Sequence, residues 1–126
     1  MNIRPFGPGH RRADRAAGSR GVLSSAIFSN DVAQITEFTV TPGGTYGPLR
    51  SAGDVVLVVI EGGGLVTTHG ADVQLAAGES LHLERLTPYT VAARELPLRA
   101  ILVELSAGGG AQPARTISAS GGGAEE

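Results

Sequence analysis

The sequence predicts an all-β domain, a sandwich or barrel of short antiparallel strands, and three observations carry the prediction. Between Gly21 and Leu105 the apolar residues fall in short runs and alternations, with no stretch at the helical period. Turn residues, glycine above all, interrupt these runs about every eight to twelve residues, the spacing of strands in sandwiches and barrels. Val55 to Ile60 is an unbroken run of β-branched residues and leucine, too short for a core helix and of the composition strands favour.

Taken in order, Met1 to Arg20 contains Pro5, Pro8 and five arginines without apolar periodicity, which predicts a flexible arm over 1–20. Arg4, Arg11, Arg12, Arg15 and Arg20 there read as a solvated tail or, alternatively, as an anion-binding arm. Gly21 to Phe28 and Val32 to Val40 predict two strands joined by Ser29-Asn30-Asp31, and Pro42-Gly43-Gly44 predicts the next turn. Tyr46 to Ser51 holds Pro48 and predicts an edge or a bulge. Val55 to Ile60 predicts a strand buried on both sides. Glu61 to Gly64 turns it into Leu65 to Thr68. His69 to Asp72 turns again into Val73 to Leu75, and Ala76-Ala77-Gly78 leads to Ser80 to Glu84. Tyr89 to Ala93 and Leu98 to Leu105 complete the set. The domain is therefore expected over 21–105. The Gly, Ala, Ser and acidic segment 106–126 is expected to be disordered, because it buries too little apolar area to offset its ordering entropy.

Composition removes several function classes. The 126 residues carry a formal net charge of −2, without the basic field that nucleic-acid or anionic-membrane binding requires. Cysteine is absent, which excludes disulfides, thiolate metal sites and cysteine nucleophiles. Lysine is absent too, which excludes Schiff-base catalysis. No apolar run has the length of a membrane span or of a secretory h-region, so a cytoplasmic protein is expected, of bacterial origin by its arginine and alanine content.

From Gly44 through Gly53-Asp54, Glu61-Gly62 and Ala77-Gly78-Glu79 to Tyr89, the spacing of glycines and strands resembles the two motifs of the cupin superfamily. The resemblance covers about residues 36–105 and implies an antiparallel jelly-roll barrel. It also implies where a metal would be held in that family, by three histidines and a glutamate. Aligned on Gly62, the two histidine positions fall on Leu49 and Ser51 and the glutamate position on Val55. Aligned on Gly78, the last histidine position falls on Tyr89. Two aliphatic side chains, a hydroxyl and a phenol are a poor donor set for a divalent transition metal, so no metal and no cofactor are expected. His82 with Glu84 and Glu37 is the weaker alternative as a ligand set.

Strand alternation then predicts the interior of the barrel. Leu49, Ser51, Val55, Leu57, Val59, Tyr89 and Val91 are expected to line an apolar pocket with a few hydroxyls, suited to a hydrophobic or polycyclic organic molecule. Tyr89 is expected to hydrogen-bond a carbonyl or enol oxygen and act as an acid, or else to plug the mouth of the barrel. His82 shares a face with Glu84; turned inward the two would form an acid–base pair, and turned outward His82 is a surface or subunit-contact residue. Arg50 and Arg85 flank the mouth, as an anion clamp or as solubilising edge charges. Tyr46 and Glu37 join the pocket by parity. The function expected is a metal-independent enzyme, with Tyr89, His82 and Glu84 catalytic, that cyclises, isomerises or dehydrates a small organic intermediate of specialised metabolism. The alternative is a non-catalytic small-molecule-binding or accessory module. A homodimer is expected, because the β-branched faces of a short barrel leave apolar surface to cover.

Overall fold

The computed structural model describes residues 1–107. The described chain is all-β. Its strands are β1 (Arg12–Ala13), β2 (Arg20–Ser29), β3 (Ala33–Leu49), β4 (Val55–Glu61), β5 (Gly63–Thr68), β6 (Ala71–Ala76), β7 (Ser80–Leu83), β8 (Tyr89–Ala92) and β9 (Leu98–Leu105). Every pairing is antiparallel, and the order β6-β5-β8-β3-β9-β4-β7 curls into a nearly closed barrel, with β2 on the flank of β3 and β1 beyond it.

The long strand β3 makes this closure possible. Its first half, Ala33 to Val40, lies between β2 and β9, and its second half, Thr45 to Leu49, pairs with β8. The turn expected at Pro42-Gly43-Gly44 is instead a bend within one strand. Gly43 takes a positive φ of 79° there, its N–H bonds the Ala93 and Arg94 carbonyls, and the register against β2 shifts between Val40 and Thr45, so the strand bends at a bulge and continues beyond it. The irregularity expected around Pro48 is present, as a register shift between Tyr46 and Leu49.

The core follows the pleat. Phe38, Val40, Val55, Leu57, Val59, Val91, Leu98, Ala100 and Leu102 alternate along four strands and are buried. Phe38 meets Tyr46 edge to face, with ring centroids 4.8 Å apart. Each fully buried aliphatic side chain contributes about 1.5–3 kcal/mol relative to exposure. The expectation that Val55 to Ile60 is buried on both sides is corrected. Val56 and Val58 are only half-buried and Ile60 is exposed, because a barrel strand has one face inside and no layer covers the other.

The N-terminal arm is more constrained than its composition implies. β1 adds to β2 through Arg12↔Ser24 and Ala13↔Leu23. Arg11 reaches Glu37 on the outer face of β3, while Asp14 reaches Tyr46 and Ser24 on the inner side. Polar anchors of this kind leave no trace in hydrophobic periodicity. At the other end, Ser106 N donates to Val32 O at 2.8 Å; residues 108–126 of the tail expected over 106–126 lie outside the described residues.

Candidate active site at one end of the barrel

The end of β3, the loop 50–54, the start of β4, the start of β8 and the end of β9 converge at one end of the barrel. Leu49 pairs with Tyr89 across β3 and β8, and Val55 lies between Leu83 of β7 and Glu104 of β9. The loop is held close against β9: Leu105 N donates to Asp54 O at 2.9 Å, and Leu86 N to Ser51 O at 2.8 Å. Only glycine fits at position 53, because a Cβ there would lie 1.9 Å from the Leu105 carbonyl oxygen. The loop so fixed directs Ser51 inward.

There Ser51 Oγ donates to Glu104 Oε2 at 2.7 Å. The Tyr89 phenol lies nearby, 2% exposed, and its hydroxyl makes no hydrogen bond among the described residues. Native proteins seldom leave a buried hydroxyl unpaired, so such a group calls for an explanation. On the far side, Tyr46 OH donates to Asp14 Oδ2 at 2.6 Å, and Asp14 also accepts from Ser24 Oγ at 2.8 Å and Ala16 N at 3.0 Å. A groove of about 310 Å³ opens outside, with Gln34, Arg50, Ser51 and Glu104 in its wall. Ser51 and Glu104 thus stand between this groove and the interior.

The electrostatics assign complementary roles. Burial, and then the charge of Glu104, push the Tyr89 phenol above its ordinary pKa, against an opposing effect of the Ser51 hydroxyl. Burial also raises Tyr46, reinforced by its bond to the Asp14 carboxylate. For Asp14, burial would raise the pKa, but the bonds from Tyr46, Ala16 and Ser24 outweigh it and hold the carboxyl below its usual range. Both phenols therefore stay protonated and serve as donors, while the carboxylates accept.

The structure sorts the residues expected from sequence. Tyr46, Val55, Leu57, Val59, Tyr89 and Val91 are buried, with Leu49 and Ser51 half-buried at the mouth, and Leu57, Val59 and Val91 belong to the packed core. Arg50 is exposed on the groove wall, and Arg85 is exposed with its N–H bonded to Asp54 Oδ1 at 3.0 Å. The acid–base pair of His82 with Glu84 does not form. Leu81 and Leu83 take the inward positions of β7, opposite Leu57 and Val55, which turns His82 outward. Its Nε2 lies 2.9 Å from Asp54 Oδ2, with the ring half-exposed, and Glu84 is exposed past the end of the strand. Glu37 is fully buried, yet on the outer face, under Arg11 and Arg99 rather than in a pocket. His82, Glu84 and Glu37 therefore cannot form one ligand set.

The positions that hold metal in cupins, here Leu49, Ser51, Val55 and Tyr89, do come together, but their donor chemistry does not fit a transition metal. Among the described residues no group of three His, Cys, Asp or Glu side chains is placed to hold an ion. Sequence reasoning missed Glu104 and Asp14. Glu104 was detectable, as the carboxylate ending the inward series Leu98, Ala100, Leu102; Asp14 lies in a segment without any period.

No protein-family model matches the chain, and no curated protein matches its sequence. Solved structures do. The polyketide cyclase RemF from Streptomyces resistomycificus superposes with a TM-score of 0.74 at 19% identity, covering 94% of this chain and 87% of that one. A cupin 2 conserved barrel domain protein from Salinispora arenicola gives 0.73 at 18% identity, covering 86% and 91%. A cupin superfamily protein from Desulfitobacterium hafniense gives 0.65 at 19% identity, covering 75% and 84%.

Proposed function

We propose, from the premise that this chain has the cupin barrel fold, that its barrel binds a small, largely apolar carbonyl compound and promotes isomerisation, cyclisation or dehydration without a metal. The observation that carries the reading is the enclosed, unpaired phenol of Tyr89 beside the Ser51–Glu104 pair. A phenol donor set among the apolar side chains of the core suits a carbonyl oxygen. The likeness to a polyketide cyclase supports the same class of substrate.

Three side chains divide the work. Glu104 accepts a proton from the carbon next to the carbonyl; the C–H electron pair becomes the C=C bond of an enolate, and the carbonyl π pair moves to oxygen. Tyr89 donates a hydrogen bond to that oxygen, where its protonated state is an advantage. Where a C=C bond lies next to the acidic carbon, the enolate extends over it, and return of the proton from Glu104 at the far carbon completes an isomerisation. Attack of the enolate carbon on a second carbonyl, followed by loss of water, completes a cyclising dehydration. Ser51 holds the Glu104 carboxylate in place, and a ligand from the groove parts that pair to reach Tyr89. Held against the apolar side chains around Tyr89, the compound is fixed in one conformation, which makes such steps effectively unimolecular.

The test is deuterium uptake from D₂O at the α-carbon of a polycyclic β-diketone. The wild type accelerates uptake, and Glu104→Gln lowers the rate by about 10²–10⁴-fold, the usual range for a lost general base. Tyr89→Phe lowers it as well, through the oxygen rather than the carbon. Tight binding without accelerated exchange favours the second reading, a non-catalytic binding module, which the weak acidity of a raised phenol also supports.

A further inference from the structure

The charge of the chain is unevenly placed. Residues 1–20 hold five of its ten arginines and one of its twelve acidic residues, a formal +4, whereas the remainder carries five against eleven, −6. The structure places three of these five arginines along one groove. A groove of about 590 Å³ runs between the N-terminal segment and the edge of β2, with Arg4, His10, Arg11, Arg12, Ser24 and Ser25 in its walls and no acidic residue among them.

The donors in this groove are not equally available. Arg11 is committed to Glu37 through Nε and Nη2, and Ser24 donates to Asp14. The side chains of Arg4 and Arg12 make no hydrogen bond or ion pair among the described residues. Strand β1 pairs only Arg12 and Ala13 with Ser24 and Leu23, so among the described residues β2 has no partner strand on that side beyond Ser24. The segment is nevertheless fixed. The clasp of Arg11 on Glu37 and the three bonds to Asp14 bracket Arg12, which lowers the ordering cost of any ligand it grips.

We propose that this groove is a binding site for a small phosphate-bearing molecule, gripped by the guanidinium groups of Arg4 and Arg12, with His10 and Ser25 as further donors. The planar guanidinium fork matches two oxygens of a phosphate at once. A long polyanion is disfavoured, because the remaining −6 of the protein repels whatever extends beyond the groove. No residue that lines this groove lines the groove beside Ser51 and Glu104, and the proposal stands whether or not the carbonyl-binding reading holds.

Isothermal titration with pyrophosphate, first at low ionic strength and then at about 0.15 M salt, tests it. One saturable site is expected, stronger for pyrophosphate than for inorganic phosphate. The double variant Arg4→Gln/Arg12→Gln loses about tenfold or more in affinity per arginine, as lost charge-assisted bonds imply. Arg94→Gln, at an exposed arginine elsewhere, leaves it unchanged. Amide shifts of the wild-type protein on titration should cluster at residues 4–12 and 24–26, a readout that needs no variant. No saturable binding, undiminished affinity in the double variant, or shifts mapping elsewhere would overturn the proposal.

Discussion

Arg11→Ala is expected to be among the most destabilising changes available in the N-terminal segment. Glu37 is 0% exposed, and its carboxylate is held on one side by Arg11, through Nε at 3.0 and 3.1 Å and a further contact from Nη2, and on the other by Arg99 Nε at 2.9 Å. Removing one partner of a buried pair costs about 3–5 kcal/mol, and the surviving Arg99 places this case near 3. For a domain of this size that lowers Tm by about 15 °C, and it shifts the urea midpoint by about 2 M at an ordinary m-value. Far-UV circular dichroism with urea at neutral pH measures both. Arg11→Ala/Glu37→Gln should be the more stable of the two variants, since it no longer buries a half-paired charge. The effect also has a pH signature. Burial would raise the Glu37 pKa, but the two arginines hold it below its ordinary value, so its contribution is present above the unfolded carboxyl's pKa and fades as pH falls through the folded one. The gap between wild type and Arg11→Ala should therefore narrow below about pH 4. A cost under about 1 kcal/mol at neutral pH would refute the argument, since that is the value of a solvent-screened pair.

Three other outcomes follow from the geometry. Gly53→Ala should unfold or severely destabilise the protein, as a Cβ would sit 1.9 Å from the Leu105 carbonyl oxygen; expression yield and thermal unfolding check it. His82→Ala should leave ligand binding and deuterium exchange untouched and cost at most about 1 kcal/mol, because its bond to Asp54 lies on the half-exposed outer face. Ultraviolet titration should show neither of the two tyrosines ionising at the ordinary phenol pKa; their raised values contribute stability below about pH 10 that is lost on going higher, so tyrosinate should appear together with alkaline unfolding. Free ionisation of one tyrosine in the folded protein would show an open pocket around it.

The barrel was legible because alternation and glycine turns are local signals. Val55, Leu57 and Val59 declare one face of a strand, and the same parity brought Tyr46 and Tyr89 inside. Alternation left the face of His82 open, and the structure turns it outward by giving Leu81 and Leu83 the inward positions. What the sequence concealed is long-range and polar. Asp14 meets Tyr46 across 32 positions and Arg11 meets Glu37 across 26, and no periodicity encodes such pairs. An arginine-rich segment with two prolines looks like a solvated tail until its acidic partners are found elsewhere in the chain. The bend at Gly43 was hidden for a related reason, since a glycine pair after proline signals a turn whether or not the ladder continues through it.

Native mass spectrometry of the protein, purified without a chelator, most directly tests the claim of a metal-independent barrel for an apolar carbonyl compound. It predicts subunits free of transition metal, paired as the expected homodimer, that retain an added polycyclic diketone in the wild type and lose it when Tyr89 is changed to Phe. A stoichiometric transition-metal ion on each subunit would contradict the account, and so would a ligand held equally well without the Tyr89 hydroxyl.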